Sequence, residues 1–215
     1  MQFFVEVNEI CDVQLLWFST RLETRMDRYP APLAPRFEES GAVATPFTEW
    51  WAAVKYAFPK VPEEVARDWL HRHWSHSPFC WLPSSNYTFR RVEWASDRLS
   101  EIRSGWSDFS EDPSENVGHG RFLVEENLRQ HRYELINYIV HNRTFPVTPI
   151  MLDNSDGHLG SVAGAHFDFP AAHILIEGHL RFNIASYLAS VGRLNSVVPF
   201  WLMTRVNGAG VGDVC

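Results

Sequence analysis

Residues 173–190 read HILIEGHLRFNIASYLAS, and their hydrophobic pattern changes at Gly178. The residues before Gly178 are mostly aliphatic, as in a short buried strand. After it, apolar residues recur at helical spacing, namely Phe182, Ala185 and Leu188. Gly192 then stands where a helix C-cap glycine is expected. The sequence therefore predicts a strand that passes through a single glycine directly into a helix.

The segments on either side extend this pattern. Two further apolar runs, at 149–152 and 197–203, predict strands, and a glycine-rich polar loop is expected over 153–170. Upstream, helices are predicted at about 13–26, 47–58, 62–76 and 121–141, with Thr45 capping the second of them ahead of Pro46. Residues 78–118 read as irregular. The pattern predicts an α+β or α/β fold with a small mixed sheet at the C-terminal end and a mostly helical N-terminal region packed on it. The predicted divisions are 1–118, 119–206 and a flexible tail at 207–215.

The composition of the 215-residue chain narrows the class of protein. It is 45% hydrophobic and 21% charged, as in an ordinary globular protein. No apolar run reaches the roughly 18 residues that a membrane span needs, and residues 1–14 lack the basic start of a signal peptide. The three cysteines, Cys11, Cys80 and Cys215, show neither disulfide nor zinc spacing. These features lead us to expect a cytoplasmic protein with no membrane partner.

The charges and aromatic residues bear on partners. A net charge of −7 does not favour nucleic acid, although arginine dominates the 19 basic residues, as is common in GC-rich bacterial genomes. Seven of the nine tryptophans lie between Trp50 and Trp106. Interleaved arginines could make this region a surface for stacking bases. A tryptophan-rich core or an interface with a protein partner is the other interpretation, and it is favoured because acidic residues are nearly as frequent.

The strand-to-helix turn has the composition of a phosphate site. The N-terminus of a helix presents unpaired N–H groups and the positive end of the helix dipole. Gly178 lets a ligand approach the backbone, Arg181 supplies a forked cationic donor, and His179 can donate or shuttle a proton. Glu177 could bind a metal or act as a base. In the alternative, purely structural interpretation, Glu177 caps the helix, Arg181 pairs with it and His179 is solvated.

These residues also resemble a known family. The segment from about 145 to 205 is similar to the ParB/sulfiredoxin superfamily, whose core contains a strand, a strand ending in an acid-Gly-His-x-Arg turn, a helix and a strand. The residues 149–153, HILIEGHLRFNIASYL and VVPFWLM match these parts in order. Two features depart from the family. The reactive cysteine of sulfiredoxin is missing between Cys80 and Cys215, and Arg181 stands alone where partition ParB proteins have an arginine-rich box.

The resemblance implies a nucleotide triphosphate site for ATP or CTP, usually with Mg²⁺. Carried over by motif position, Gly178, His179 and Arg181 would contact phosphates, and Asp153 at the end of the first core strand would belong to the nucleotide site. Glu177 and His179 would be the catalytic pair, with Glu177 orienting a metal, a water or an acceptor hydroxyl. The implied activity is hydrolysis or phosphoryl transfer. The alternatives are a non-catalytic module that senses a nucleotide or binds a protein, and a metal-dependent nuclease.

Two other groups of polar residues are weaker candidates for a metal site. The loop over 153–170 contains carboxylates and imidazoles that could hold a metal with Glu177, and Asp168 and His166 are the favoured pair. The other interpretation is a polar loop whose Asp and Gly residues form turns. In the stretch 71–76, His71 and His73 point to different sides of a helix. Surface histidines on a packed aromatic helix are therefore expected there.

Overall fold

The computed structural model describes residues 30–74, 77, 79, 82, 84–130, 133–161 and 169–206. The first helix, α1 (Phe47–Val54), ends in a 3₁₀ turn, Lys55–Ala57, and α2 (Glu63–Val65) continues as a π-helical segment, Ala66–His71. Two longer helices follow, α3 (Ser114–Gln130) and α4 (Glu134–Asn142), and then α5 (His179–Ser190). Within this described part of the chain, no helix has the length and apolar character required to cross a bilayer. The helix expected at 13–26 and the tail at 207–215 lie outside the described residues.

Five strands in the described part of the chain form one mixed sheet, in agreement with the α+β prediction. They are β1 (Tyr87–Ala95), β2 (Ile102–Arg103), β3 (Ile150–Asp153), β4 (His173–Glu177) and β5 (Val197–Arg205), in the order β1-β5-β3-β4-β2. The pairs β1/β5 and β3/β4 are antiparallel, whereas β3/β5 and β2/β4 are parallel. Because β3 and β4 run in opposite directions, the start of β3 lies beside the end of β4, where Ile150 pairs with Glu177.

The strands β3 and β4 of the sheet are buried on both faces. On one face, Leu152, Ile174 and Ile176 pack against the N-terminal helical region, which contributes three buried tryptophans to the same cluster: Trp50, Trp69 and Trp74. On the other face, Met151 and Leu175 pack against α5. This alternation follows from the two-residue period of a strand, which sends neighbouring side chains to opposite faces. The mostly helical N-terminal region therefore covers one face of the sheet, as predicted.

Helix α5 lies in the middle of the C-terminal layers. Phe182 and Ala185 face the sheet, whereas Ile184 and Leu188 pack against Val124 of α3 and Ile139 of α4, among others. A helix that is covered on two sides needs apolar residues around most of its circumference. This explains why α5 buries seven of its twelve residues, including the polar Arg181, Asn183 and Ser186.

Three local expectations are wrong, and each error has a physical cause. The helix expected over 121–141 is two helices, because the Asn127 side chain accepts a hydrogen bond from the Tyr133 backbone N–H at 2.8 Å and donates to Asn137 at 2.8 Å. Thr45 does not cap α1, because Pro46 occupies the N-cap position, and the Thr45 hydroxyl oxygen instead accepts a hydrogen bond from the Arg36 N–H at 2.9 Å. The stretch expected to be irregular contains β1, whose nine residues all pair with β5. Strands on both sides of the predicted boundary at 118/119 therefore share one sheet.

Candidate functional site

Gly178 forms the turn between β4 and α5 in a left-handed conformation, with φ 98° and ψ 26°. An added Cβ would lie 2.8 Å from the Pro149 Cβ and 3.1 Å from the Arg181 Nη2. Both distances are shorter than ordinary van der Waals contacts, and an L side chain rarely adopts this φ. The glycine therefore serves the turn itself and the close packing of Pro149 and Arg181.

Glu177 and Arg181 form an ion pair across this turn. The Arg181 Nη2 donates to the Glu177 Oε2, and the Arg181 Nη1 donates to the Val147 carbonyl at 3.1 Å. The Arg181 side chain is 9% exposed and that of Glu177 is 18% exposed. Among the described residues, no side chain caps the N-terminus of α5. The structural interpretation expected Glu177 to pair with Arg181 and to cap the helix. The pairing is observed, and the capping is not.

A residue from the N-terminal helical region, His73, lies close to the same carboxylate. The His73 Nε2 lies 3.6 Å from the Glu177 Oε1, and its side chain is 29% exposed. Burial alone would raise the pKa of Glu177, but the positive charges of Arg181, His73 and Arg72 outweigh that effect. The pKa of Glu177 consequently lies below its ordinary value, and the carboxylate is ionised at neutral pH.

His179 is partly buried and lies against an aromatic ring. Its imidazole stacks on Trp106, with ring centroids 5.5 Å apart and an interplanar angle of 23°. The His179 Nε2 is buried and has no hydrogen-bond partner among the described residues. Burial, with help from the charge of Arg181, lowers the pKa of His179 to about 4, although Glu177 opposes the shift. The ring is therefore neutral at pH 7 and only partly exposed, whereas the structural interpretation expects it to be solvated.

The remaining predicted site residues do not join this cluster. Asp153 pairs in register with His173, four residues and about 13 Å along β4 from Glu177. Its carboxylate accepts hydrogen bonds from the Ser155 N–H at 3.1 Å and the Ser155 hydroxyl at 2.6 Å, so it stabilises the following turn. Asp168 and His166 lie outside the described residues. Within the part of the chain that the structure describes, no three His, Cys, Asp or Glu side chains are grouped for a metal ion.

The arrangement as a whole can attract an anion and keep a carboxylate ionised beside it. The backbone N–H groups at the start of α5, together with Arg72 and Arg181, place positive charge around Glu177. Sequence reasoning missed Arg72, His73 and Trp106, because each lies more than 70 residues from the turn along the chain. The available signal was the unusual run of basic and aromatic residues over 71–74, whose histidines were expected at the surface of a packed aromatic helix.

Comparison of the chain with protein-family models, with curated proteins and with solved structures found no match.

Proposed function

We propose that this protein binds a nucleotide triphosphate at the Glu177–Arg181 turn and hydrolyses it or transfers its phosphoryl group. The observation that supports the proposal is the positive charge that several groups direct at this turn. Arg181, His73 and Arg72 all lower the pKa of the Glu177 carboxyl at the positive end of the α5 dipole. Triphosphates carry several negative charges and are commonly bound at such helix N-termini. The motif's resemblance to the ParB/sulfiredoxin superfamily points to the same ligand class.

Each residue has a distinct role in this proposal. The first N–H groups of α5 and the guanidinium of Arg72 hold the phosphates, and the partly exposed His73 faces the same carboxylate oxygen that the ligand would reach. Glu177 orients the attacking water or acceptor hydroxyl, since its low pKa keeps it ionised but makes it a weak base. Arg181 is a positioning residue that fixes the carboxylate. Neutral His179 donates or accepts a hydrogen bond without adding charge.

The turn offers Mg²⁺ a small number of protein ligands. Mg²⁺ is usually held by one or two carboxylates together with substrate phosphates and waters. Glu177 supplies a carboxylate at this turn. Arg181 donates to its Oε2, whereas its Oε1 lies 3.6 Å from the His73 Nε2. We propose that Glu177 would be its protein ligand, and that the ion when bound would neutralise charge on the phosphates.

A thermal-shift titration with ATP, CTP and GTP, each with and without Mg²⁺, tests the proposal. We expect one nucleotide to raise the melting temperature, and Arg72→Ala to lose most of that rise. Arg67→Ala is the matched control, because Arg67 lies on the π-helical segment that precedes Arg72 and pairs with the neighbouring Asp68. The proposal fails if no nucleotide stabilises the protein, or if the two arginine variants respond alike.

Turnover is tested separately. Glu177→Gln keeps an oxygen that can accept from Arg181, so we expect it to fold and to bind the nucleotide while losing hydrolysis. The measurement is phosphate release from highly purified wild type and variant. Equal rates in both would remove Glu177 from the mechanism.

One observation favours a second candidate, a non-catalytic nucleotide-sensing module. Arg181 donates to both Glu177 and the Val147 carbonyl, and its side chain is 9% exposed, so the motif arginine is already engaged within the fold. A module of this kind binds a nucleotide without consuming it. Stabilisation by nucleotide together with no phosphate release from wild type would identify it.

A further inference from the structure

Strand β1 lies at one edge of the five-stranded sheet, and its side away from β5 is paired with no other described strand. All nine residues of β1 pair with β5 in one continuous antiparallel register. A long, regular edge strand presents a row of unpaired N–H and C=O groups, on which another strand can pair. The backbone of β1 is therefore a site where a strand from another molecule can extend the sheet.

The hydrogen bonds at the two ends of β1 show which of its residues face the free side. The Ser96 N–H donates to the Ser196 carbonyl at 2.9 Å, and the Val206 N–H donates to the Asn86 carbonyl at 2.9 Å. Both pairs continue the register of β1 and β5, and both involve even-numbered residues next to β1. In an antiparallel ladder, residues that hydrogen-bond to the neighbouring strand alternate with residues that face away from it. The odd-numbered residues therefore direct their backbone groups to the free side, namely Tyr87, Phe89, Arg91, Glu93 and Ala95.

Two of these outward-facing positions carry exposed side chains of opposite charge, Arg91 and Glu93. They are two residues apart, so both side chains lie on the same face of the sheet. A second copy of the chain can pair antiparallel with β1 across a two-fold axis perpendicular to the sheet. When this axis passes through Val92, Arg91 of each copy lies directly opposite Glu93 of the other. Both pairs fall at hydrogen-bonded positions of the new ladder, because both residues have outward-facing backbone groups.

The two neighbouring registers lack this complementarity. An axis through Arg91 would place two arginines opposite each other, and an axis through Glu93 would place two glutamates opposite each other. Like charges directly opposite in antiparallel strands are destabilising, whereas opposite charges stabilise the pairing. The axis through Val92 also brings two half-buried valine side chains together at a non-hydrogen-bonded pair, where side chains approach most closely. The side chains of β1 therefore favour one register for a second copy.

We propose that this protein forms a two-fold symmetric homodimer in which the β1 strands of the two copies pair antiparallel, with Val92 on the axis. The two sheets then form one continuous sheet across the interface. A further hydrogen-bonded pair joins Phe89 to Ala95 of the second copy. The partner is a second copy rather than an unrelated strand, because the charges of Arg91 and Glu93 are complementary to themselves when the strand is reversed. Charged residues on an edge otherwise deter the addition of a strand.

Analytical ultracentrifugation of the full chain over a range of concentrations tests the proposal, and we expect a species with twice the mass of one chain. Arg91→Glu would place glutamate opposite glutamate at two symmetric positions, and Glu93→Arg would likewise place arginine opposite arginine. Each variant alone should therefore raise the dissociation constant of the dimer about 10-fold or more. Arg121→Glu is the control, because it makes the same change of charge at an exposed position of α3 and should leave the dissociation constant unchanged.

An equimolar mixture of the two variants identifies the register. Arg91→Glu has acids at both positions and Glu93→Arg has arginines at both, so a heterodimer restores both pairs of opposite charge. We expect the mixture to dimerise about as tightly as wild type, although each variant alone does not, and circular dichroism confirms that each is folded. The proposal is overturned if the wild-type chain stays monomeric at millimolar concentration, if neither charge reversal weakens the dimer, or if mixing the variants does not restore it.

Discussion

At the scale of single residues, the Glu177–Arg181 pair has a structural role as well as the proposed functional one. Both side chains are largely buried, and an unpaired buried charge is strongly destabilising. Arg181→Ala should therefore reduce stability as well as any nucleotide affinity. This differs from the expectation for an arginine that meets only the ligand.

A double-mutant cycle measures the interaction free energy between Glu177 and Arg181. Arg181→Met alone should lower the free energy of unfolding by about 3 kcal/mol, since it leaves the Glu177 carboxylate uncompensated. The double variant Glu177→Gln/Arg181→Met should recover part of this loss. Urea unfolding gives the coupling. The exposed Arg98–Glu101 pair serves as the control and should show little coupling, because water screens it. Equal coupling in both pairs would contradict the buried role.

Alanine substitutions at Gly178 and Gly192 distinguish the cost of backbone strain from the cost of a steric clash. Both have positive φ, 98° and 67°, but an added Cβ meets Pro149 only at Gly178 and nothing within 4 Å at Gly192. Gly192→Ala should cost about 1 kcal/mol through strain alone, and Gly178→Ala should cost clearly more. Melting temperatures of the two variants decide the matter. If they are equal, the close approach of Pro149 has no energetic consequence.

The neutral His179 predicts a pH dependence of stability. Its pKa is about 4 in the folded protein and near 6.5 in the unfolded chain. At a pH between these two values, the histidine therefore takes up a proton when the protein unfolds. Stability should therefore fall as the pH is lowered from 6.5 to 4, by at most about 3 kcal/mol from this group. His71, whose pKa is also lowered by burial, acts in the same direction. His179→Phe should flatten the profile measured by urea unfolding at several pH values. If the pH dependence of the unfolding free energy is the same in His179→Phe and wild type, His179 is not its cause.

At the scale of elements, the close contact between α3 and α5 depends on Gly120. An added Cβ at Gly120 would lie 1.9 Å from the Asn183 carbonyl oxygen, whereas the same atom at Gly118 would meet nothing within 4 Å. The two helices can approach so closely only because one of them lacks a side chain at this point. Small residues allow such contacts wherever helix backbones pack tightly.

Alanine substitutions at the two glycines of α3 are expected to have opposite effects. Gly120→Ala should destabilise the protein by about 2 kcal/mol or more, because backbone atoms of α5 must move. Gly118→Ala should stabilise it by up to about 1 kcal/mol through helix propensity. Chemical unfolding of both variants provides the comparison. Stabilisation by both would show that α3 and α5 are not held at this distance.

Local sequence signals predicted some elements well and others poorly. The segment 173–190 was predicted correctly because its apolar period, its central glycine and Gly192 all indicate the same elements. The break between α3 and α4 could not be predicted, since it depends on a side chain, Asn127, that competes with the helix for backbone hydrogen bonds. The position of His73 beside Glu177 was equally hidden, because it results from packing between distant segments.

At the scale of the whole molecule, one sheet contains strands from both sides of the boundary predicted at 118/119. The nine-residue pairing of β1 with β5 joins positions more than 100 residues apart. The N-terminal layer covers Leu152, Ile174 and Ile176 on one face of the sheet. The C-terminal elements therefore lack a complete core of their own, although they contain the motif.

A fragment spanning residues 119–206 tests this dependence. Without β1 and the N-terminal layer, it should expose one apolar face of the sheet and leave β5 as an unpaired edge. We expect it to lack cooperative thermal unfolding and dispersed amide signals in NMR spectra, while the full chain shows both. A sharp two-state transition in the fragment would establish 119–206 as an independent domain.

The position of β5 in the sheet has a consequence for synthesis on the ribosome. β5 lies between β1 and β3, yet it is the last of the described strands along the chain. Until residue 205 has left the exit tunnel, β1 and β3 have no strand between them, and the tryptophan-bearing segments have only a partial surface to cover. Such long-range pairings form slowly and leave apolar surface accessible to chaperones. Translation of the last strand therefore determines when the nascent chain can complete its core.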